Sequence, residues 1–145
     1  MLRFGCMQVS EPKINELTRA LKRIRGIQAA YLFGSQAKQS AGRLSDVDVA
    51  ILIDRKCSSA AQREVVLTAF QTITRILGRN DIDLIELDRA PIILRYAATV
   101  HGRPLFVKPG QDTCRLPFRN LRDFEDFRPY LERRSRALKN EFSRV

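Results

Sequence analysis

The chain has 145 residues, 44% of them hydrophobic and 29% charged, which suits one ordinary globular domain with a single real core. No apolar stretch approaches the length of about 18 residues that spans a bilayer, and the amino-terminal MLRFGCMQVSEPK lacks the long apolar run of a secretory signal. The net charge is +10, and residues 1–45 hold eight Lys or Arg against two Glu, a surplus that attracts a polyanion, an acidic partner or a nucleoside triphosphate, or that simply keeps a surface solvated.

The first predicted element is a helix. Ser10 before Glu11 and Pro12 is a start signal, a capping hydroxyl followed by acid and proline in the first turn. Ile14, Leu17, Leu21 and Ile24 then make one buried stripe, and Gly26 ends it. IQAAYLF (27–33) reads as a strand that delivers the chain to Gly34-Ser35, and VDVAILI (47–53) reads as a second. Residues 60–77 predict a helix with Val65, Val66, Ala69, Phe70, Ile73 and Ile76 on one side and Gly78 as its stop. DIDLIEL (81–87) is a third strand. PIILRYAATVH predicts a further helix stopping at Gly102, and PLFV (104–107) a short fourth strand. Residues 115–144 are helix-prone, with Leu121, Phe124, Phe127, Leu131 and Leu138 as a sparse apolar set and Pro129 expected to start, end or kink a helix. Phe124, Phe127 and Tyr130 are expected as core or partner-facing anchors. The order predicts one α/β (α+β) domain, residues 1–110 forming its core and 111–145 a helical segment packed on that core or on a partner. Cys6, Cys57 and Cys114 form no C-x-x-C pair and suit free thiols, so a cytoplasmic protein is expected.

The chemistry concentrates between residues 34 and 48. Alternate residues of a strand share a face, so Asp46 and Asp48 project together about 6.5–7 Å apart along the backbone. Two parallel carboxylates repel and lose hydration as a sheet packs; a hard divalent cation removes both problems, and Mg²⁺ binds carboxylates together with substrate phosphates. Asp83, flanked by Ile82 and Leu84, supplies a third acid on another strand, whereas Asp81 faces the same way nearer the turn. A strand ending in Gly34-Ser35 exposes backbone N–H groups that cradle phosphate oxygens, with the serine hydroxyl as a further donor. Lys38 and Arg43 follow as cations within reach of phosphates.

Gly34, Ser35, Asp46 and Asp48, read as G-S-x10-D-x-D, resemble the signature of the DNA polymerase β-like nucleotidyltransferases, and the small size resembles their minimal nucleotidyltransferase branch. The likeness extends to RYAATVHGRPLFV and LRDFEDFRPYLERRSRAL and covers about residues 14–140. It implies a small mixed sheet flanked by helices, with a carboxy-terminal helical segment. It also implies that Gly34 and Ser35 hold a triphosphate, that Asp46 and Asp48 bind two Mg²⁺ ions, and that Asp83 contacts the ion at the attacking hydroxyl. One departure is Gln36, in GSQAKQS, where the family usually carries a basic residue.

Proteins of this branch commonly act as antitoxins that move AMP from ATP onto a tyrosine of a HEPN ribonuclease toxin. The resemblance therefore implies a hetero-oligomer with such a toxin and ATP as substrate. Two other readings stand beside it: transfer to RNA or to a small molecule, and a module that inhibits its partner by occlusion without catalysis. Arg95 and His101 superficially fit the R-x(4–6)-H motif of the toxins themselves, but a cationic side chain is favourable at a helix end in any case.

Overall fold

The computed structural model describes residues 8–34 and 46–143, with the side chains of residues 111 and 112 left aside. Its elements are α1 (Glu11–Arg23), β1 (Ile27–Phe33), β2 (Val47–Ile53), α2 (Ser59–Leu77), β3 (Ile82–Glu86), α3 (Ile92–Thr99), β4 (Arg103–Val107) and α4 (Gln111–Phe142). The four strands among the described residues form one sheet in the order β3-β2-β1-β4, with β2 and β3 parallel and the other neighbours antiparallel. This is the mixed sheet flanked by helices that the resemblance implies.

Period-two alternation divides the sheet into two apolar faces. Ala30 and Leu32 of β1 and Val47, Val49, Ile51 and Ile53 of β2 pack against Ile14, Leu17 and Leu21 of α1 and Ala69, Ile73 and Ile76 of α2. On the other face, Ala29, Tyr31, Phe33, Ala50 and Leu52 meet Ala98 of α3 and Leu116 of α4. Two helices therefore cover each side of a central sheet, and β1 and β2 are apolar almost throughout because both of their faces are covered.

The differences from expectation are local. Ser10 stands at the α1 N-cap position, but its side chain makes no capping bond; the turn is closed by Ile14 N–H donating to the Ser10 carbonyl at 3.0 Å. Ser58 caps α2 instead, its Oγ accepting from Ala61 N–H at 3.2 Å. Gly78 ends α2 with φ +64°, a left-handed cap that glycine adopts without strain. Phe70 lies at the edge of the α2 stripe, 38% exposed, while Ala69, Ile73 and Ile76 are buried. Pro129 neither starts nor ends a helix: α4 runs through both Pro117 and Pro129. A proline deletes one N–H from a helical ladder and leaves the turns on either side able to continue.

The amino-terminal half of α4 docks on α3. Thr113 Oγ1 donates to the Lys108 carbonyl at 2.7 Å, Leu116 is buried, and Asn120 Nδ2 donates to Thr99 Oγ1 at 3.0 Å.

Candidate active site

The face that carries α3 and α4 also carries the acids. Ala50 and Leu52 point into that layer, so Asp48, two residues earlier on β2, points the same way, with Asp46 just before the strand begins. Ile85 and Leu87 pack on the same layer, which turns Asp83 of β3 to that side as well. The register completes the arrangement: Asp48 pairs with Asp83 across β2 and β3, and Val47 N–H donates to the Asp81 carbonyl at 3.0 Å at the head of the ladder. Asp46, Asp48 and Asp83 thus stand together at one end of the sheet. Asp46 and Asp83 are exposed, and Asp48 is partly buried.

Burial pushes the Asp48 carboxyl above its ordinary value, and the charges of Asp83 and Asp46 push it further. Gly34 closes the other side. It follows Phe33, which pairs with Asp48 across β1 and β2, and its φ of +68° turns the backbone into the Asp48 carboxylate. A Cβ built on Gly34 collides with Asp48 Oδ2, so only glycine lets the main chain approach this closely.

Ser35, Lys38 and Arg43, the remaining expected phosphate-binding residues, lie outside the described residues, as does Gln36. Among the described residues, no group of three or more His, Cys, Asp or Glu side chains is gathered closely enough to hold a metal ion as it stands. The three acids share an end and a face of the sheet without being drawn in around a common point.

Two features of the site were not anticipated from the sequence. Asp81 is ion-paired with Arg79, whose guanidinium hydrogen bond holds the carboxyl below its ordinary value; that leaves Asp83 as the uncommitted acid of β3. Arg79 is itself pushed up, first by the bond to Asp81 and further by the charges of Asp81 and Asp46, so a guanidinium flanks the acid cluster. The Arg79-x-Asp81 spacing was the available clue. The second feature is aromatic: Tyr96 of α3 stacks on Phe124 of α4 and hydrogen-bonds His101, all close to Gly34.

The family model for polymerase beta nucleotidyltransferases matches residues 15–110. The chain belongs to that family. Within it, the likenesses are to the minimal nucleotidyltransferase branch. Protein adenylyltransferase MntA of Shewanella oneidensis is 31% identical over 99 residues, covering 68% of this chain and 66% of the relative. A crystal structure of a toxin–antitoxin with AMP-PNP contains a chain 26% identical, superposing with a TM-score of 0.60 over 92% of this chain and 98% of that one. A tri-AMPylated Shewanella oneidensis HEPN toxin in complex with MNT antitoxin contains a chain 22% identical with a TM-score of 0.57, covering 90% of this nucleotidyltransferase and 96% of that chain, a likeness of fold.

Proposed function

We propose that this nucleotidyltransferase transfers AMP from ATP to a tyrosine hydroxyl of a HEPN ribonuclease toxin and so acts as its antitoxin. The observation that carries the reading is the placing of Asp48 opposite Asp83, with Asp46 on the same face and the Gly34 backbone against the Asp48 carboxylate. The likeness to a protein adenylyltransferase and to a toxin–antitoxin with AMP-PNP supports a protein acceptor and an adenine nucleotide.

The donor set fits a divalent cation in its chemistry and in its place at one end of the sheet, and the three acids would have to draw closer to hold one. Three carboxylates share one end of the sheet, and Asp48 is held up by burial and by its like-charged neighbours, a strain that Mg²⁺ relieves. Asp46, Asp48 and Asp83 would hold two such ions, which supply Lewis-acid activation of the attacking hydroxyl and stabilisation of the leaving pyrophosphate. The Gly34 turn, with Ser35, Lys38 and Arg43 following it in sequence, binds and orients the triphosphate. In the transfer, the tyrosine oxygen bonds to the α-phosphorus as the bond to the bridging oxygen of the β-phosphate breaks, and pyrophosphate leaves. Asp83, exposed at the same end of the sheet, would take the phenolic proton. A tyrosine hydroxyl loses its proton near pH 10 in water, so only a modest shift is required, and positioning with charge neutralisation supplies most of the remaining acceleration.

The test is to purify the chain with the product of the adjacent gene, add ATP and Mg²⁺, and weigh the partner by mass spectrometry. Mass gains in multiples of AMP, absent with Asp48→Asn, are expected. No gain in a partner that binds a metal-loaded chain would sink the reading. If Asp48→Asn still neutralises the toxin, inhibition is by occlusion. The net charge of +10 favours one other acceptor, an RNA end, whose binding would weaken steeply with added salt.

A further inference from the structure

We propose that a cavity at the end of the sheet away from the acids binds a phosphate group, between the loop that follows β2 and the start of α4. It is about 260 Å³, with Leu52 and Ile53 among its walls and the cationic side chains of Arg55, Lys56 and Arg119 around it. Ile27 pairs with Ile53 at this end of β1 and β2, whereas Phe33 pairs with Asp48 at the other. The length of a strand, on the order of 20 Å, therefore separates the cavity from the transfer site.

The charges decide the class of ligand. Arg119 is half-buried, yet its guanidinium makes no hydrogen bond or ion pair among the described residues. Further along the same helix Arg128 and Arg136, both exposed, are paired with Glu125 and Glu132. A guanidinium drawn part-way out of water without a partner is unfavourable until an anion meets it. The Lys56 ammonium is likewise unpaired among the described residues, and Arg55 is held at the rim by Asp88 at 3.3 Å. The carboxylate that lines the same cavity, Asp54, is engaged in its own loop, its Oδ1 accepting from Lys56 N–H at 3.0 Å. Three cations around one occupied carboxylate favour an anion. A guanidinium offers a planar fork that matches phosphate oxygens two at a time, and an ammonium adds a point charge. A phosphate dianion satisfies both at once, which a single carboxylate charge does not. Bridging Lys56 and Arg119, it ties α4 to the loop after β2. Arg119 immediately precedes Asn120, which bonds Thr99 of α3, so the tie reaches the joint between the two helices.

The experiment titrates the chain with sodium phosphate in EDTA, against sodium chloride at matched ionic strength, and follows backbone amide NMR shifts and the melting temperature. Without Mg²⁺ the acid cluster repels anions, so the two ends of the sheet are told apart. Saturable shifts are expected at Lys56, Gly110 and Arg119 with Gly34 and Asp48 unmoved, together with a rise in melting temperature that chloride does not give. Arg119→Gln is expected to weaken phosphate binding roughly tenfold. Should that variant fail to fold, Lys56→Gln, at an exposed side chain, carries the same expectation. AMP as a second probe distinguishes the source: tighter binding than inorganic phosphate at the same amides marks a nucleotide, and equal binding a free phosphate. Phosphate shifts no larger than those of chloride, shifts confined to Gly34 and Asp48, or undiminished affinity in a folded variant overturns the site. Each of these leaves the transferase reading standing, because Lys56 and Arg119 lie outside the machinery proposed for it and both variants are expected to retain AMP transfer.

Discussion

Asp48 and Asp83 face one another across the parallel pair of β2 and β3, with Asp46 two residues before Asp48 on the same face. Three carboxylates placed this way work against the fold that carries them. Asp48→Asn is nearly isosteric and removes the most disturbed charge of the three. It is expected to abolish nucleotide transfer while raising the melting temperature of the metal-free protein at neutral pH. The gain is on the order of 1 kcal/mol, or about 2–4 °C for a chain of this size. Differential scanning fluorimetry in the presence of chelator measures it, and a melting point below wild type would contradict the electrostatic account.

The same carboxyl sets a pH dependence with a definite sign. Its folded pKa lies above the ordinary 3.8, because of burial first and the Asp83 and Asp46 charges second, so the folded chain holds this proton more tightly than the unfolded chain does. The stabilisation from protonated Asp48 is complete below about pH 3.8 and is lost as pH rises through the folded value. Binding of Mg²⁺ needs the ionised form and therefore runs the other way. Saturating Mg²⁺ is expected to leave the melting temperature unchanged near the acid end and to raise it by roughly 5 °C at neutral pH, an effect that EDTA reverses and Asp48→Asn lacks. Thermal melts with and without the metal at a series of pH values test this.

Gly34 makes a second demand on the same carboxylate. Its φ of +68° costs a side-chain-bearing residue about 1–2 kcal/mol, and an added Cβ runs into Asp48 Oδ2. Gly34→Ala is therefore expected to lower stability by about that amount and to cut transfer by on the order of a hundredfold, because displacing Asp48 disturbs the reacting geometry directly. Circular dichroism should remain that of the wild type. A variant with near-normal transfer would mean that the tight contact between turn and acid is dispensable.

Much of this site was legible before any coordinates. The bounds expected for β1 and β2, residues 27–33 and 47–53, are those observed, because both strands are apolar runs closed by turn residues at each end. Parity along β2 then put Asp46 and Asp48 on one face. What one strand cannot say is which residue of another lies beside it: the pairing of Asp48 with Asp83 depends on β3 adding parallel to β2 in one register, and that is settled by the helices packed around the sheet. The meeting of Tyr96 and Phe124 near Gly34 was hidden for the same reason, since the three belong to separate elements. Pro129 does not bound a helix because a proline removes one hydrogen bond while the turns flanking it stay intact. Ser10 stands where a cap is expected, but position does not oblige its hydroxyl to bond.

The joint between α3 and α4 offers a test of packing apart from catalysis. Asn120 is fully buried; its Nδ2 donates to Thr99 Oγ1, and its Oδ1 has no hydrogen-bond partner among the described residues. Thr99→Val strands the whole amide and is expected to cost about 1–2 kcal/mol. Adding Asn120→Leu removes the stranded group and should recover most of that loss, a coupling that a double-mutant cycle of denaturant melts measures.

Beyond Leu131 every described residue of α4 is exposed, through Phe142 and on to Ser143. This final stretch extends roughly 18 Å with no described residue of the chain to shelter it, and a helix so short is marginal in water by itself. Its amides should exchange with deuterium far faster than those of β1 and β2 in the isolated chain. A toxin seated on that overhang would slow the exchange there, so deuterium uptake would report assembly of the pair even where no AMP has moved.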